Sequence, residues 1–208
     1  MVQAASPPPS LNVLILAGGQ SRRMGRDKAL IVWQGMTFLE RCVRVALVVG
    51  DRCDIVTPWP ERYQTALPPA LRDQIDWCPD PVPHAGPPRA IATLLTQPPS
   101  VNFDWTLVLA CDMPNLDPQR LLAWRSHLSQ RSPITLGYIP RWAEGKYWEP
   151  LCGFYRSQAG LALQHFLDGG GRSLQAWLTG TLTIEPLPIT ETDIPLLHNC
   201  NHPKDLQL

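Results

Sequence analysis

Apolar positions in this chain fall into short continuous runs that alternate with stretches of helical period, and most runs stop at glycine, proline or aspartate. Asn12-Val-Leu-Ile-Leu-Ala17 ends in Gly18-Gly19, the pattern of a strand buried on both faces and halted at a turn. Behind it, Thr37-Phe-Leu-Glu40 has capping-box spacing, and Leu39, Cys42, Val43, Ala46 and Leu47 recur at helical intervals. Arg52 to Thr57 and Ile75 to Cys78 are apolar cores that each end before a proline, so both are predicted strands.

Arg89 to Thr96 reads as a short helix, and Asp104-Trp-Thr-Leu-Val-Leu-Ala-Cys111 as a second buried strand, cut off by Asp112-Met113-Pro114. Asp117-Pro118 supplies an N-cap and first helical residue for a helix to about Ser129. Ile134 to Ile139 and Glu149 to Tyr155 read as strands, Gln158–Leu167 and Leu174–Leu178 as helices, and Leu182 to Leu187 as a late strand. The alternation predicts an α/β fold: a single domain over residues 12–208 with a mainly parallel, Rossmann-like sheet flanked by helices, preceded by a flexible tail over residues 1–11. Ligand sites of such sheets lie beyond the carboxyl ends of the strands. Gly18 and Asp112 both fall there.

Candidate chemistry begins in Leu16-Ala-Gly-Gly-Gln-Ser-Arg-Arg-Met-Gly-Arg-Asp-Lys28, which follows the first strand without a gap. Glycines at 18, 19 and 25 let the backbone turn sharply and bring N–H groups against phosphate oxygens. Arg22, Arg23, Arg26 and Lys28 put four basic residues into seven positions, enough to offset part of a triphosphate's charge. The spelling is neither that of a Walker loop nor of a dinucleotide fingerprint. An ordinary glycine turn with solvated arginines is the alternative. Asp112 sets a carboxylate at the sheet's functional edge, where Met113-Pro114 turns the chain away. Mg²⁺ prefers oxygen donors and takes one or two carboxylates with phosphate oxygens, so one such aspartate suffices; a turn former is the bland reading.

The spelling L-A-G-G-x-S-x-R-M-G-x-D-K resembles the signature of the molybdenum cofactor guanylyltransferase family, and Cys111-Asp112-Met113-Pro114 resembles that family's C-D-x-P element. The resemblance implies a fold of the nucleotide-diphospho-sugar transferase type. It assigns Leu16, Ala17, Gly18, Gly19 and Lys28 to the phosphates of GTP, Arg22 to a further catalytic role, and Asp112 to Mg²⁺. Asp80 corresponds to an aspartate that contacts nucleotide ahead of a G-P-L-A-G segment, which here reads Gly86-Pro87-Pro88-Arg89-Ala90. Asn199-Cys-Asn201-His-Pro-Lys-Asp-Leu206 resembles the family's N-x-N-T-P-E-D-L close, whose asparagines face the acceptor or metal side; a capped C-terminal helix is the other reading. The acceptor implied is molybdopterin, with transient contact to molybdenum-cofactor biosynthesis proteins or apo-molybdoenzymes. Related cytidylyltransferases and sugar-phosphate nucleotidyltransferases share looser versions of the loop, so CTP or a sugar-phosphate acceptor stays open, as does a GTP-binding carrier without catalysis.

Composition narrows the setting. Eighteen Lys+Arg balance eighteen Asp+Glu, which argues against a nucleic-acid binder built on a broad basic surface. No run of eighteen apolar residues exists to span a membrane, and residues 1–10 lack the features of an export signal; a cytoplasmic location is expected. Six dispersed cysteines without a C-x-x-C pair read as buried thiols. The eight tryptophans, mostly inside apolar runs, read as core.

Overall fold

The computed structural model describes residues 7–18, 27–82, 85–142, 147–201 and 205. Its strands are β1 (Leu11–Leu16), β2 (Val32–Trp33), β3 (Met36–Thr37), β4 (Arg52–Thr57), β5 (Asp76–Pro79), β6 (Trp105–Ala110), β7 (Gly137–Arg141), β8 (Cys152–Tyr155) and β9 (Ile184–Pro188). The helices are α1 (Phe38–Val49), α2 (Pro60–Gln64), α3 (Pro69–Arg72), α4 (Pro87–Leu95), α5 (Pro118–Ser126), α6 (Ser157–Asp168) and α7 (Leu174–Gly180). Seven strands form one sheet in the order β5-β4-β1-β6-β8-β7-β9. Strand β8 runs antiparallel to β6 and β7, and the other pairings in this sheet are parallel.

The central place of β1 explains its unbroken apolar spelling. Leu11, Val13 and Ile15 join one core with Leu39, Val43 and Ala46 of α1, while Leu14 meets Ala90 and Leu94 of α4 on the opposite face. Each fully buried side chain of this size contributes about 1.5–3 kcal/mol, and both faces collect it. Helix α1 starts where the capping-box spacing says: the Thr37 hydroxyl accepts the Glu40 N–H at 3.1 Å. Asp117 caps α5 in the same way, accepting the Gln119 N–H at 3.0 Å. Helices α4 and α6 cover the second face and touch at Gly160, where an added Cβ would stand 2.8 Å from the Ala92 carbonyl oxygen and 2.8 Å from Leu95 Cβ.

Several expectations need adjustment. The sheet begins at Leu11, and Ser10 is fastened through its N–H and hydroxyl to Asp104, so the framework takes in positions expected in the tail. Helix α5 ends at Ser126, followed by a separate 3-10 turn, Leu128–Gln130. Strand β7 begins only at Gly137, since Ile134 is 72% exposed in the turn before it. Residues 149–151 are a turn leading into β8, consistent with the turn-like residues there. The hairpin β2/β3 and the short helices α2 and α3 were not anticipated. Two-residue strands and helices of four or five residues are too short for periodicity to show, although Gln34 and Gly35, both with positive φ, make the hairpin turn.

Trp105, Trp124, Trp148 and Trp177 are buried in the core as expected. All six cysteines are free thiols, four buried and two, Cys78 and Cys111, half-buried. Among the described residues no helix is long and apolar enough to cross a membrane.

Candidate functional site

The carboxyl ends of β1, β4, β5 and β6 open onto a cleft of about 730 Å³, within the usual range for small-molecule sites. Its walls include Gly18, Lys28, Asp80, Asp112, Asn199 and Asn201, with Leu16, Val56, Ala90 and Leu151 on the apolar side. Residues predicted from four separate stretches of sequence therefore share one cavity. Gly19, Arg22 and Arg23 lie outside the described residues.

Past the end of β1, the Ala17 N–H donates to the Val56 carbonyl at 2.9 Å, which draws the exits of β1 and β4 together before Gly18. A Cβ on Gly18 would meet Pro58 Cδ at 3.0 Å and Asp80 Oδ2 at 4.0 Å. The backbone there lies close against the β4 exit, so a side chain would have to displace Pro58 slightly, and it stands in van der Waals reach of the Asp80 carboxylate. Asp80 Oδ1 accepts the Val82 N–H at 3.0 Å, so the aspartate stabilises its own turn and also lines the cleft.

The chain returns at Asp27, which caps the 3-10 turn Lys28–Leu30 by accepting the Ala29 N–H at 3.1 Å. From that turn the Lys28 ammonium reaches Asp112 Oδ2 at 2.9 Å and the Asn201 amide oxygen at 2.6 Å. The Lys28 and Asp112 side chains are only 17% and 18% exposed, so this pair is less screened than a surface salt bridge. The C-terminal segment is tied to the same point: the Cys200 N–H donates to the Asp112 carbonyl at 2.8 Å, and the Asn201 N–H to Asp205 at 2.8 Å. Residues 199–201 are not helical. Both asparagines line the cleft, while the stretch in which the capped helix would lie falls largely outside the described residues.

Asp112 Oδ1 is buried and has no hydrogen-bond partner among the described residues. A buried carboxylate oxygen left unpaired is costly, and here it belongs to a residue lining the cleft. No group of three or more His, Cys, Asp or Glu side chains suited to a metal occurs among the described residues. A hard cation at Asp112 would complete its shell from a phosphorylated ligand and water, the habit of Mg²⁺.

Two neighbours carry shifted pKa values. Burial, reinforced by the negative charges of Asp112 and Asp27, pushes the Cys111 thiol far up, which leaves it a neutral wall and no nucleophile. Glu149 was not singled out from sequence. Burial raises its carboxyl, a hydrogen bond from the Trp142 indole at 2.7 Å opposes this, and Asp112 raises it further. A glutamate before a proline carries no local signal of such surroundings.

In the Gly86-Pro87-Pro88-Arg89-Ala90 segment, Gly86, Pro87 and Ala90 line the cleft, whereas Pro88 and Arg89 do not. The Arg89 guanidinium instead pairs with Asp168 of α6 at 2.7 Å, on the surface.

A mostly parallel sheet whose carboxyl edge brings Gly18, a lysine and a strand-end aspartate into one cleft is the build of an α/β nucleotidyltransferase. Residues 13–182 match the MobA-like NTP transferase domain. The chain is 39% identical over 198 residues to "Probable molybdenum cofactor guanylyltransferase" of Trichormus variabilis, covering 95% of this chain and 89% of that one. It is 40% identical over 194 residues to the protein of the same name from Synechococcus elongatus, covering 93% and 95%. The crystal structure of molybdopterin-guanine dinucleotide biosynthesis protein A from Archaeoglobus fulgidus shares the fold, with a TM-score of 0.72 at 21% identity over 94% of this chain and 95% of that one. This chain belongs to the molybdenum cofactor guanylyltransferase family, of the MobA-like NTP transferases, and is a nucleotidyltransferase.

Proposed function

We propose that the enzyme transfers GMP from GTP to the terminal phosphate of molybdopterin, with Mg²⁺, forming the guanine dinucleotide and releasing pyrophosphate. The observation that carries this reading is the meeting of Lys28, Asp112 and Asn201 in the cleft entered by Gly18. An oxygen of the acceptor phosphate forms a bond to the α-phosphorus of GTP as the bond from that phosphorus to the bridging oxygen breaks, and pyrophosphate departs with the bridging oxygen. The acceptor phosphate is anionic at neutral pH, so the protein needs no general base and contributes alignment and charge neutralisation.

Lys28 exchanges its carboxylate partner for phosphate oxygens of the triphosphate, and backbone N–H groups of the turn after β1, Leu16 to Gly19, support the same anion. Arg22 adds a second cation from that turn. Asp112, through Oδ1, would hold Mg²⁺, which when bound supplies charge neutralisation at the α-phosphate. Asp80, within reach of the Gly18 backbone, holds the nucleotide as well. The apolar side formed by Leu16, Val56, Pro87 and Ala90 suits a planar base, and Asn199 and Asn201 face the acceptor or metal side. The reaction belongs in the cytoplasm, with product passed on by transient contact with apo-molybdoenzymes or other molybdenum-cofactor proteins.

The test is pyrophosphate release from purified protein given Mg²⁺, molybdopterin and each of the four NTPs in turn. GTP is expected to be the productive donor. Faster release with CTP would reassign the base, and no release with any donor would remove the proposal.

A further inference from the structure

Asp27 joins the glycine-rich segment to the turn that carries Lys28, and a helix outside the cleft holds it. One carboxylate oxygen caps the turn through the Ala29 N–H at 3.1 Å. The other accepts the Tyr63 hydroxyl at 2.7 Å and an Arg62 guanidinium N–H at 3.2 Å, both from α2. The two donors are unequal. Tyr63 is 0% exposed and packs in the main core with Leu67 and Leu71, whereas the Arg62 side chain is 48% exposed and lies over the Trp59 ring, 4.6 Å from its centroid. Arg62 is therefore screened by water and contributes little as a surface pair.

An ionised carboxylate only accepts, so the phenol donates. Burial, followed by the hydrogen bond and charge of Asp27, pushes the Tyr63 phenol above its ordinary value, in keeping with its role as donor. A hydrogen bond to a charged, largely buried acceptor is among the stronger kinds. It is also anchored in the core, where side chains are close-packed and move little.

We propose that Tyr63 is a positioning residue for Lys28. With one Asp27 oxygen fixed by Tyr63 and the other by Ala29, the turn has a single orientation, and Lys28 emerges toward Asp112 and Asn201. Without the phenol O–H, Asp27 keeps on that oxygen, among the described residues, only the exposed Arg62, the turn relaxes, and the ammonium loses its aim. Displacements of about 1 Å in a binding group are enough to lower activity a hundredfold. Tyr63 touches no substrate and acts only through Asp27 and Lys28. This inference rests on the reading of Lys28 as a triphosphate ligand.

The experiment is calorimetric titration of Mg²⁺-GTP into the wild type, Tyr63→Phe, Lys28→Ala and the double variant, with the melting temperature of each. Tyr63→Phe is expected to weaken binding roughly tenfold in the wild-type background and less than about twofold in the Lys28→Ala background, since its effect passes through the missing ammonium. Equal losses in both backgrounds, or wild-type affinity in Tyr63→Phe, overturn the proposal. Asp27→Asn, which keeps the side chain's size, reads the same coupling if Tyr63→Phe does not fold. A wild type that ignores Mg²⁺-GTP overturns the triphosphate reading of Lys28 and this inference together; a wild type that binds, with additive losses, overturns this inference alone.

Discussion

The Lys28 ammonium lies 2.9 Å from Asp112 Oδ2, although 84 positions separate the two residues in sequence. One sits just beyond the glycine turn after β1 and the other at the end of the adjacent β6. Their contact pairs a cation suited to phosphate with a carboxylate suited to a metal, inside one cleft.

Asp112→Asn keeps the shape of the side chain and removes its charge. Turnover is expected to fall by about 10²–10³, equivalent to about 2.7–4 kcal/mol of barrier, while GTP affinity changes far less. Parallel measurement of pyrophosphate release and GTP binding checks this. A protein that only stores GTP would have no turnover to lose.

Lys28→Ala should act in opposite directions on the two ligands. Loss of the ammonium weakens GTP binding, yet it also removes the cation that competes for Asp112 in the nucleotide-free protein. At about 1 kcal/mol for the pair, Mn²⁺ used as a probe should bind the free variant roughly fivefold more tightly. Titration followed by electron paramagnetic resonance would detect it, and unchanged or weaker Mn²⁺ binding would count against a metal at Asp112.

Arg89→Ala should leave nucleotide preference unaltered. The side chain points to Asp168 and lies outside the cleft, so competition among the four NTPs is expected to rank them as in the wild type. A reversed ranking would mean that α4 selects the base through its outer face.

Gly160→Ala should cost about 1–3 kcal/mol of stability, read as a lower urea midpoint. The new methyl would lie 2.8 Å from a backbone oxygen of α4, which cannot swing aside as a side chain does, so α6 must shift away from it.

Asp193 sets an acid limit on the fold. Burial alone would raise its carboxyl, but Arg120, which grips it through two bonds of 2.6 and 2.7 Å, and Thr190 hold it below the ordinary value. A depressed pKa contributes stability above the unfolded value, near 3.9 for aspartate, and that contribution is lost as pH falls through the folded value. Melting temperatures measured from about pH 5 downward should fall more steeply in the wild type than in Asp193→Asn, which is expected to be less stable at neutral pH.

Much of this architecture was legible before any coordinates. Runs such as Val13 to Leu16 and Leu107 to Ala110 are apolar without alternation because helices cover both faces of their sheet, and the residue that follows each run marks the sheet's working edge. Thr37 and Asp117 announced their helices through hydroxyl and carboxylate caps, which are local interactions a few residues long. Local chemistry of this kind survives in the order of residues, and so the identity of Gly18, Lys28 and Asp112 as candidates was legible too.

The partnerships were not. Periodicity records that a residue is buried and is silent about what buries it, so neither the insertion of antiparallel β8 between β6 and β7 nor the service of Tyr63 to Asp27 was readable. Asn201 meets Lys28 across 173 positions, beside the hydrogen bond that ties the Cys200 N–H to the Asp112 carbonyl. Residue order by itself determined which groups are chemically suited to a phosphate and a metal. Closure of the sheet decided that they would meet, because bringing distant segments together costs chain entropy that only the burial of the whole core offsets.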